Sequence, residues 1–334
     1  MPATGLSLIP DQRFADRAPA LARRVGQRVG LDGLLSDLSR AARVAVDDHY
    51  PDAPALHWDA QDAHDRTWWP QGITTDAESS TGPASVVIAA WYAKGLGGRL
   101  PNVAARVSVL SLADARYDHV LLVDPRRAWL DPRRPHRHVP LHAGGLVWVG
   151  DLLLVADTRR GMRAFDLRDV TALDRPVAGC RFLLPERGRW VASTSGPTHR
   201  LRWSFAAVDA SAPDAPQLLA GEYAREGTPR LVRLPLAPLL AGRPAEAVEV
   251  VAAGVRSMQG VARVDETYWV SASRGEATRG RLWHGTAGTT FEGIDDALPA
   301  GCEDLSYEAA GDRLWTQSEY PGQRLVIAVP LPRG

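Results

Sequence analysis

The sequence is poor in sulfur and in long apolar runs. Two cysteines, Cys180 and Cys302, and three methionines serve 334 residues. Two cysteines in so long a chain build no disulfide framework, and two reduced core thiols are expected. No apolar run approaches the ~20 residues that span a bilayer. Residues 1–12 lack the charged start and apolar stretch of a secretory leader. A soluble, cytoplasmic protein with no membrane partner is therefore expected. Charge of one sign is missing too. The 39 acidic residues match the 39 basic ones, which leaves no electrostatic drive toward nucleic acid.

Several catalytic signatures are absent as well. Gly95-Leu96-Gly97-Gly98 lacks the Lys-Ser/Thr of a phosphate loop. There is no Gly-x-Ser-x-Gly elbow. There is no His-Glu-x-x-His and no cysteine cluster to hold zinc. His136-Arg137-His138 is the one weak surface metal motif.

What is present is a repeat. Gly301-Cys302-Glu303-Asp304-Leu305-Ser306-Tyr307 has four weaker counterparts upstream: Pro70-Gln71-Gly72-Ile73, Ala143-Gly144-Gly145-Leu146, Leu201-Arg202-Trp203-Ser204 and Met258-Gln259-Gly260-Val261. Each precedes a strand-like run that stops at a polar or aromatic pair and a turn. Corresponding positions lie 73, 58, 57 and 44 residues apart, close to one propeller blade each. The expected fold is an all-β propeller of five blades, with a sixth open to the N-terminal region. It would occupy residues 67–334, behind a helical extension and tether over residues 1–66. Leu21, Val25, Val29, Leu34 and Leu38 recur near helical spacing there, and Gly30 and Gly33 are expected to split two helices. Residues 124–140 read as a long basic loop, and residues 182–184 as the start of the third blade.

In a propeller the inner strands surround a channel, and loops at one end frame a pocket. The equivalent positions of the five repeats are Gln71, Gly144, Arg202, Gln259 and Glu303, with His142 two residues earlier on the same side of its strand. Glu303 is the candidate general acid or base. Adjacent residues on a regular strand face opposite ways, so Asp304 is expected to point elsewhere. His142 is a candidate proton shuttle, and Arg202 a polarising cation that could equally form a structural ion pair with Glu303. Gln71 and Gln259 suit a substrate carbonyl or hydroxyl. Trp68, Trp69, Trp91, Tyr92, Tyr223 and Tyr320 are expected as pocket walls, and Asp157, Glu222 and Glu319 as rim residues that could instead satisfy the turns that follow them. Together they suggest a cofactor-independent enzyme for a small, partly apolar metabolite, performing cyclisation, isomerisation or elimination in natural-product biosynthesis. A binding or scaffold propeller without chemistry is the bland alternative.

The Glu303-Asp304 start and the Gly-apolar openings resemble the propeller superfamily of strictosidine synthase, gluconolactonase and paraoxonase. That resemblance implies a metal-dependent lactonase or esterase with channel calcium, but the repeat positions carry Gln, Gly and Arg where Asn or Asp would bind it. The runs Trp68–Ile73, His142–Gly145, Val155–Leu167, Gly221–Tyr223 and Glu303–Tyr307 resemble an actinobacterial propeller family of unassigned function, over about residues 66–330.

Overall fold

The computed structural model describes residues 4–79, 85–95, 100–125, 135–195, 199–209, 211–212 and 214–332. They fold into antiparallel four-stranded meanders. The first runs Trp68–Thr75, Val86–Gly95, Leu100–Ser111 and Arg116–Pro125. The second runs Leu146–Val149, Leu152–Asp157, Gly161–Asp166 and Cys180–Thr194. The third runs Phe205–Asp209, Gln217–Gly221, Arg230–Pro235 and Glu249–Ala252. The fourth runs Met258–Val264, Thr267–Ala272, Arg279–Gly285 and Glu292–Ala300. The fifth comprises Ser306–Glu308, Arg313–Gln317 and Leu325–Pro330, and Ala55–His57 supplies its fourth strand from the other end of the chain.

The first strand of each meander touches the first strand of the next, and the fifth returns to the first. This closed ring of inner strands is the architecture of a β-propeller. It also explains the sequence pattern. A sheet sandwiched between two others buries both faces, so its strands read as unbroken apolar runs rather than alternating ones. In the run from Val86 to Trp91, Val86, Ile88 and Ala90 join one core cluster, while Val87, Ala89 and Trp91 join another. The repeated glycines mark where neighbouring meanders crowd together. A Cβ on Gly145 would lie 2.1 Å from the amide nitrogen of Ala206, and one on Gly260 would lie 2.5 Å from that of Leu305.

Polar bonds lock the ring. Gly72 N donates to Ala143 O at 3.0 Å and Trp203 N to Thr158 O at 3.2 Å. Arg263 Nη1 donates to Asp209 Oδ2 at 3.1 Å, Ser271 Oγ to Glu303 O at 2.7 Å, and Gln317 Nε2 to Gly72 O at 2.8 Å. Every adjacent pair of meanders is thereby joined.

The N-terminal region differs from the expected helical tether. Helices cover only Arg17–Val25, Gly30–Leu35 and Ala60–His64. Gly30 opens the second helix and Gly33 lies inside it. Between the helices, short strands are stitched onto existing sheets. Leu6–Asp11 pairs with Cys180–Thr194, Gly26–Arg28 with Thr171–Val177, and Arg40–Ala41 with Arg116–Pro125. Among the described residues these strands extend existing sheets and add no further meander.

Two other expectations change. Residues 182–184 belong to the long strand Cys180–Thr194, where they run parallel to Val120–Val123 and fuse the first two meanders into one sheet. Within the expected basic loop, His136–His138 is a strand paired with Val123–Pro125, and residues 126–134 lie outside the described residues. Cys180 and Cys302 are free and buried. No described helix is long and apolar enough to cross a membrane.

Candidate functional site

The equivalent repeat positions meet at one end of the channel. Gln71, Gly144, Arg202, Gln259 and Glu303 all line a single cleft of about 430 Å³. His142 and Ser204 border it from the second and third repeats, and Tyr223 from the third meander. Tyr92 and Lys94 lie two residues apart on Val86–Gly95, so both side chains leave the same face of that strand and enter the cleft.

Glu303 forms the floor. It is 2% exposed, and its Oε1 accepts from Gln259 Nε2 at 3.1 Å. Burial, the neighbouring Glu319 and Asp304 carboxyls raise its pKa well above the ordinary range, against a hydrogen bond from Gln71. Gln71 also donates to Glu319 Oε2 at 3.2 Å, so one amide bridges two carboxyl groups. Glu319 is raised as well, by burial, and is restrained by Lys94. No ion pair joins Glu303 to Arg202 among the described residues. Arg202 is exposed, and its backbone nitrogen donates to Glu222 Oε1 at 2.9 Å.

The His142 ring lies against that of Tyr92, with centroids 4.4 Å apart and planes tilted by 42°. Its surface is exposed to the cleft, whose surrounding atoms partly desolvate it. That desolvation, with the charges of Arg202 and Lys94, pushes it down to about 4, so the imidazole is neutral at pH 7. Lys94 Nζ sits 3.2 Å from the Trp69 ring centroid, and burial lowers its pKa.

Asp304 departs from the expected alternation. Residues 303–305 precede the regular strand Ser306–Glu308 and are irregular, so both acidic side chains turn toward the axis. Asp304 Oδ2 accepts from Ile73 N at 3.2 Å and Leu146 N at 3.3 Å, while Oδ1 has no partner. Further along the channel Glu78 accepts from Thr74 Oγ1 at 2.9 Å, and burial pushes it up to about 8. Inner strands present unpaired amides to the axis, and these two carboxyls satisfy them.

Five expected wall or rim residues lie elsewhere. Trp91 is fully buried on the opposite face of its strand from Tyr92, edge-on to Trp58 at 5.2 Å. Trp68 is buried under Arg106. Asp157 pairs with Arg163 at 3.0 Å, and Thr158 takes the cleft position instead. Tyr320 and Trp69 pack against each other at 6.3 Å just outside the cleft lining. With the tryptophans removed, the walls are mostly polar. Lys94, Ser204, Thr158 and Glu319 were the contributors that sequence reasoning missed or left at the rim. The i, i+2 relation of Lys94 to Tyr92 was the available signal for Lys94.

A second polar cluster has the outline of a hydrolytic triad. Ser108 Oγ lies 2.8 Å from His119 Nδ1, and His119 Nε2 lies 2.8 Å from Asp62 Oδ2. All three are buried, and none lines the cleft. Arg106 and Tyr117 also hold Asp62, so this cluster is internal scaffolding.

The channel calcium implied by the family resemblance does not suit these residues. Only Glu303 and Glu319 offer carboxylates to the cleft, and Arg202 and Lys94 oppose a cation there. Among the described residues no group of three or more His, Cys, Asp or Glu is placed to hold a metal ion.

No family model and no curated protein matches the chain. Solved structures similar to it include a glucose dehydrogenase at 14% identity, covering 87% of this chain and 91% of that one, with a TM-score of 0.42. A GH43_1 enzyme from Xanthomonas citri complexed with xylose is 12% identical, covers 94% and 92%, and has a TM-score of 0.41. The Cps50 (Swd1) β-propeller domain of Myceliophteria thermophila is 11% identical, covers 78% and 96%, and has a TM-score of 0.37. Likeness at this level assigns no activity or substrate. The propeller architecture rests on the closed ring of inner strands.

Proposed function

We propose that the five meanders are the blades of a five-bladed propeller, and that the chain is an enzyme working by acid–base catalysis, without a bound cofactor, on a small polar metabolite at the channel mouth. One observation carries this reading: the Glu303 carboxyl is buried at the floor of an open cleft, and no cation pairs with it among the described residues. A carboxylic acid kept protonated near neutrality is a proton donor. His142, neutral and facing the same cleft, is the complementary acceptor. Arg202 and Lys94 hold an oxyanion or carboxylate of the substrate, and Gln71 and Gln259 fix its neutral oxygens. The polar walls replace the partly apolar ligand expected from the tryptophans.

This donor and acceptor pair suits isomerisation, cyclisation or elimination, of the kind used in natural-product biosynthesis. A hydrolytic reading draws on a different feature, the Glu303 and Glu319 carboxyls bridged by Gln71. Incubation with a panel of hydroxy-carboxylates, lactones and glycosides in D₂O, followed by NMR, separates the two. Deuterium exchange at carbon marks proton-transfer chemistry, and ring opening or glycoside cleavage marks hydrolysis. Glu303→Gln is expected to abolish either, and a variant as active as the parent refutes the assignment.

A further inference from the structure

Beside the cleft, a second hollow of about 440 Å³ is walled almost entirely by arginine. Arg13, Arg159, Arg160, Arg189 and Arg200 face into it, and Val191 and Ala192 complete the lining. The two sites are contiguous along the chain. Thr158 and Arg202 line the cleft, while Arg159 and Arg200 line the hollow.

The five side chains come from four places. Arg13 follows the strand Leu6–Asp11, and Arg159 and Arg160 form the turn between Leu152–Asp157 and Gly161–Asp166. Arg189 lies on Cys180–Thr194, and Arg200 leads into the third meander. Their backbones are tied down. Arg160 N donates to Asp157 O at 2.9 Å, Arg160 O accepts from Ala192 N at 2.8 Å, and Arg200 O accepts from Arg230 Nη2 at 3.0 Å.

Carboxylates are scarce here. Arg13 pairs with Asp11, and Arg189 with Glu186. The guanidinium groups of Arg159, Arg160 and Arg200 have no carboxylate partner among the described residues. Asp157, the acid nearest in sequence, is engaged by Arg163. In a chain with equal numbers of acidic and basic residues, such an uncompensated concentration is local. A concave site lined by one sign of charge focuses potential onto a counter-ion. Guanidinium forks match phosphate oxygens in pairs, and the volume lies in the range of small-ligand sites.

We propose that this hollow binds the oligophosphate group of a small ligand, a diphosphate or triphosphate moiety straddled by Arg159 and Arg160 on one side and Arg200 on the other. The site stands independently of chemistry at Glu303.

The test is calorimetric titration of the full chain with inorganic tripolyphosphate, with a nucleoside triphosphate, and with sulfate at matched ionic strength. Tripolyphosphate is expected to bind at least about tenfold tighter than sulfate, because several charge-assisted bonds form together. Arg159→Ala, Arg160→Ala and Arg200→Ala are each expected to weaken it about tenfold. All three side chains are exposed, so circular dichroism should stay unchanged. Glu303→Gln is expected to bind as the parent does. Equal affinity for tripolyphosphate and the nucleoside triphosphate supports a site that reads phosphate alone, and tighter nucleotide binding supports one that also reads the base. Failure to prefer tripolyphosphate over sulfate, or undiminished binding by the triple variant, overturns the proposal.

Discussion

Two buried carboxyl clusters in this molecule have opposite electrostatics. Asp62, in the helix Ala60–His64, meets Arg106 at 2.8 Å, Arg40 at 3.2 Å, His119 at 2.8 Å and the Tyr117 hydroxyl at 2.6 Å. Although burial alone would raise it, these partners hold its carboxyl far below the ordinary range. Glu303, Asp304 and Glu78 on the channel axis meet amides, hydroxyls and one another, and all three are raised. Burial is common to both sets, so the counter-charge decides. The Asp62 cluster is a satisfied scaffold that ties the N-terminal region to the first meander. Burial without counter-charge favours the neutral form of the axial carboxyls, and of these three Glu303 lines the cleft.

Substitutions sharpen the contrast. The largest effect is expected from Glu303→Gln, a loss of turnover of about 10²–10⁴-fold with an unchanged melting temperature, measured by activity assay and calorimetry. Next is Asp62→Ala, which strands Arg106 and removes the partner of His119. It is expected to cost about 3–5 kcal/mol in denaturant unfolding. Asp304→Asn, an isostere of an acid whose burial favours the neutral form, is expected to change stability by less than about 1 kcal/mol at pH 7. If the two aspartates respond alike, the contrast fails.

A pH series probes the same difference. Glu78 titrates near 8 when folded and near 4.5 when unfolded. The folded state therefore binds the extra proton between those values. Its stabilising contribution is complete below about 4.5 and is lost as pH rises through 8, by up to about 1.4 kcal/mol per pH unit. Asp62 has the opposite sign, its contribution being present above 3.8 and lost on acidification. Histidines with depressed values, His119 and His142, act only below 6.5. Between pH 6.5 and 8 stability is thus expected to fall with rising pH, and Glu78→Gln should reduce that slope without abolishing it, because Glu303 and Asp304 are raised as well. The smallest effect is expected from Lys94→Met, a few-fold weakening of substrate affinity with stability unchanged within about 0.5 kcal/mol.

Much of the ring was legible in the sequence, because crowding at the axis demands small residues at fixed places. Gly72, Gly145 and Gly260 announced three inner strands, and doubly buried runs such as 86–91 announced the strands behind them. The outer strands were harder. Glu292–Ala300 carries Asp295 and Asp296 and is largely exposed over residues 292–296, so it reads as a loop. Ala55–His57 completes a sheet with residues 325–327, a pairing no local pattern reveals. At the site, the five repeat positions could be found by register. The orientation of Asp304 could not, because it depends on an irregular stretch that breaks strand alternation. Trp91 was misplaced for a related reason, since in a sheet buried on both sides an aromatic residue gives no sign of which face it occupies.

The protonation of Glu303 can be followed by carbon NMR of glutamate side-chain carboxyls, with its resonance assigned through Glu303→Gln. The expected result is a titration midpoint well above the ordinary glutamate value of about 4.3, with the acid form prevailing as the solution approaches neutrality. A midpoint at or below that ordinary value would contradict the role given to Glu303.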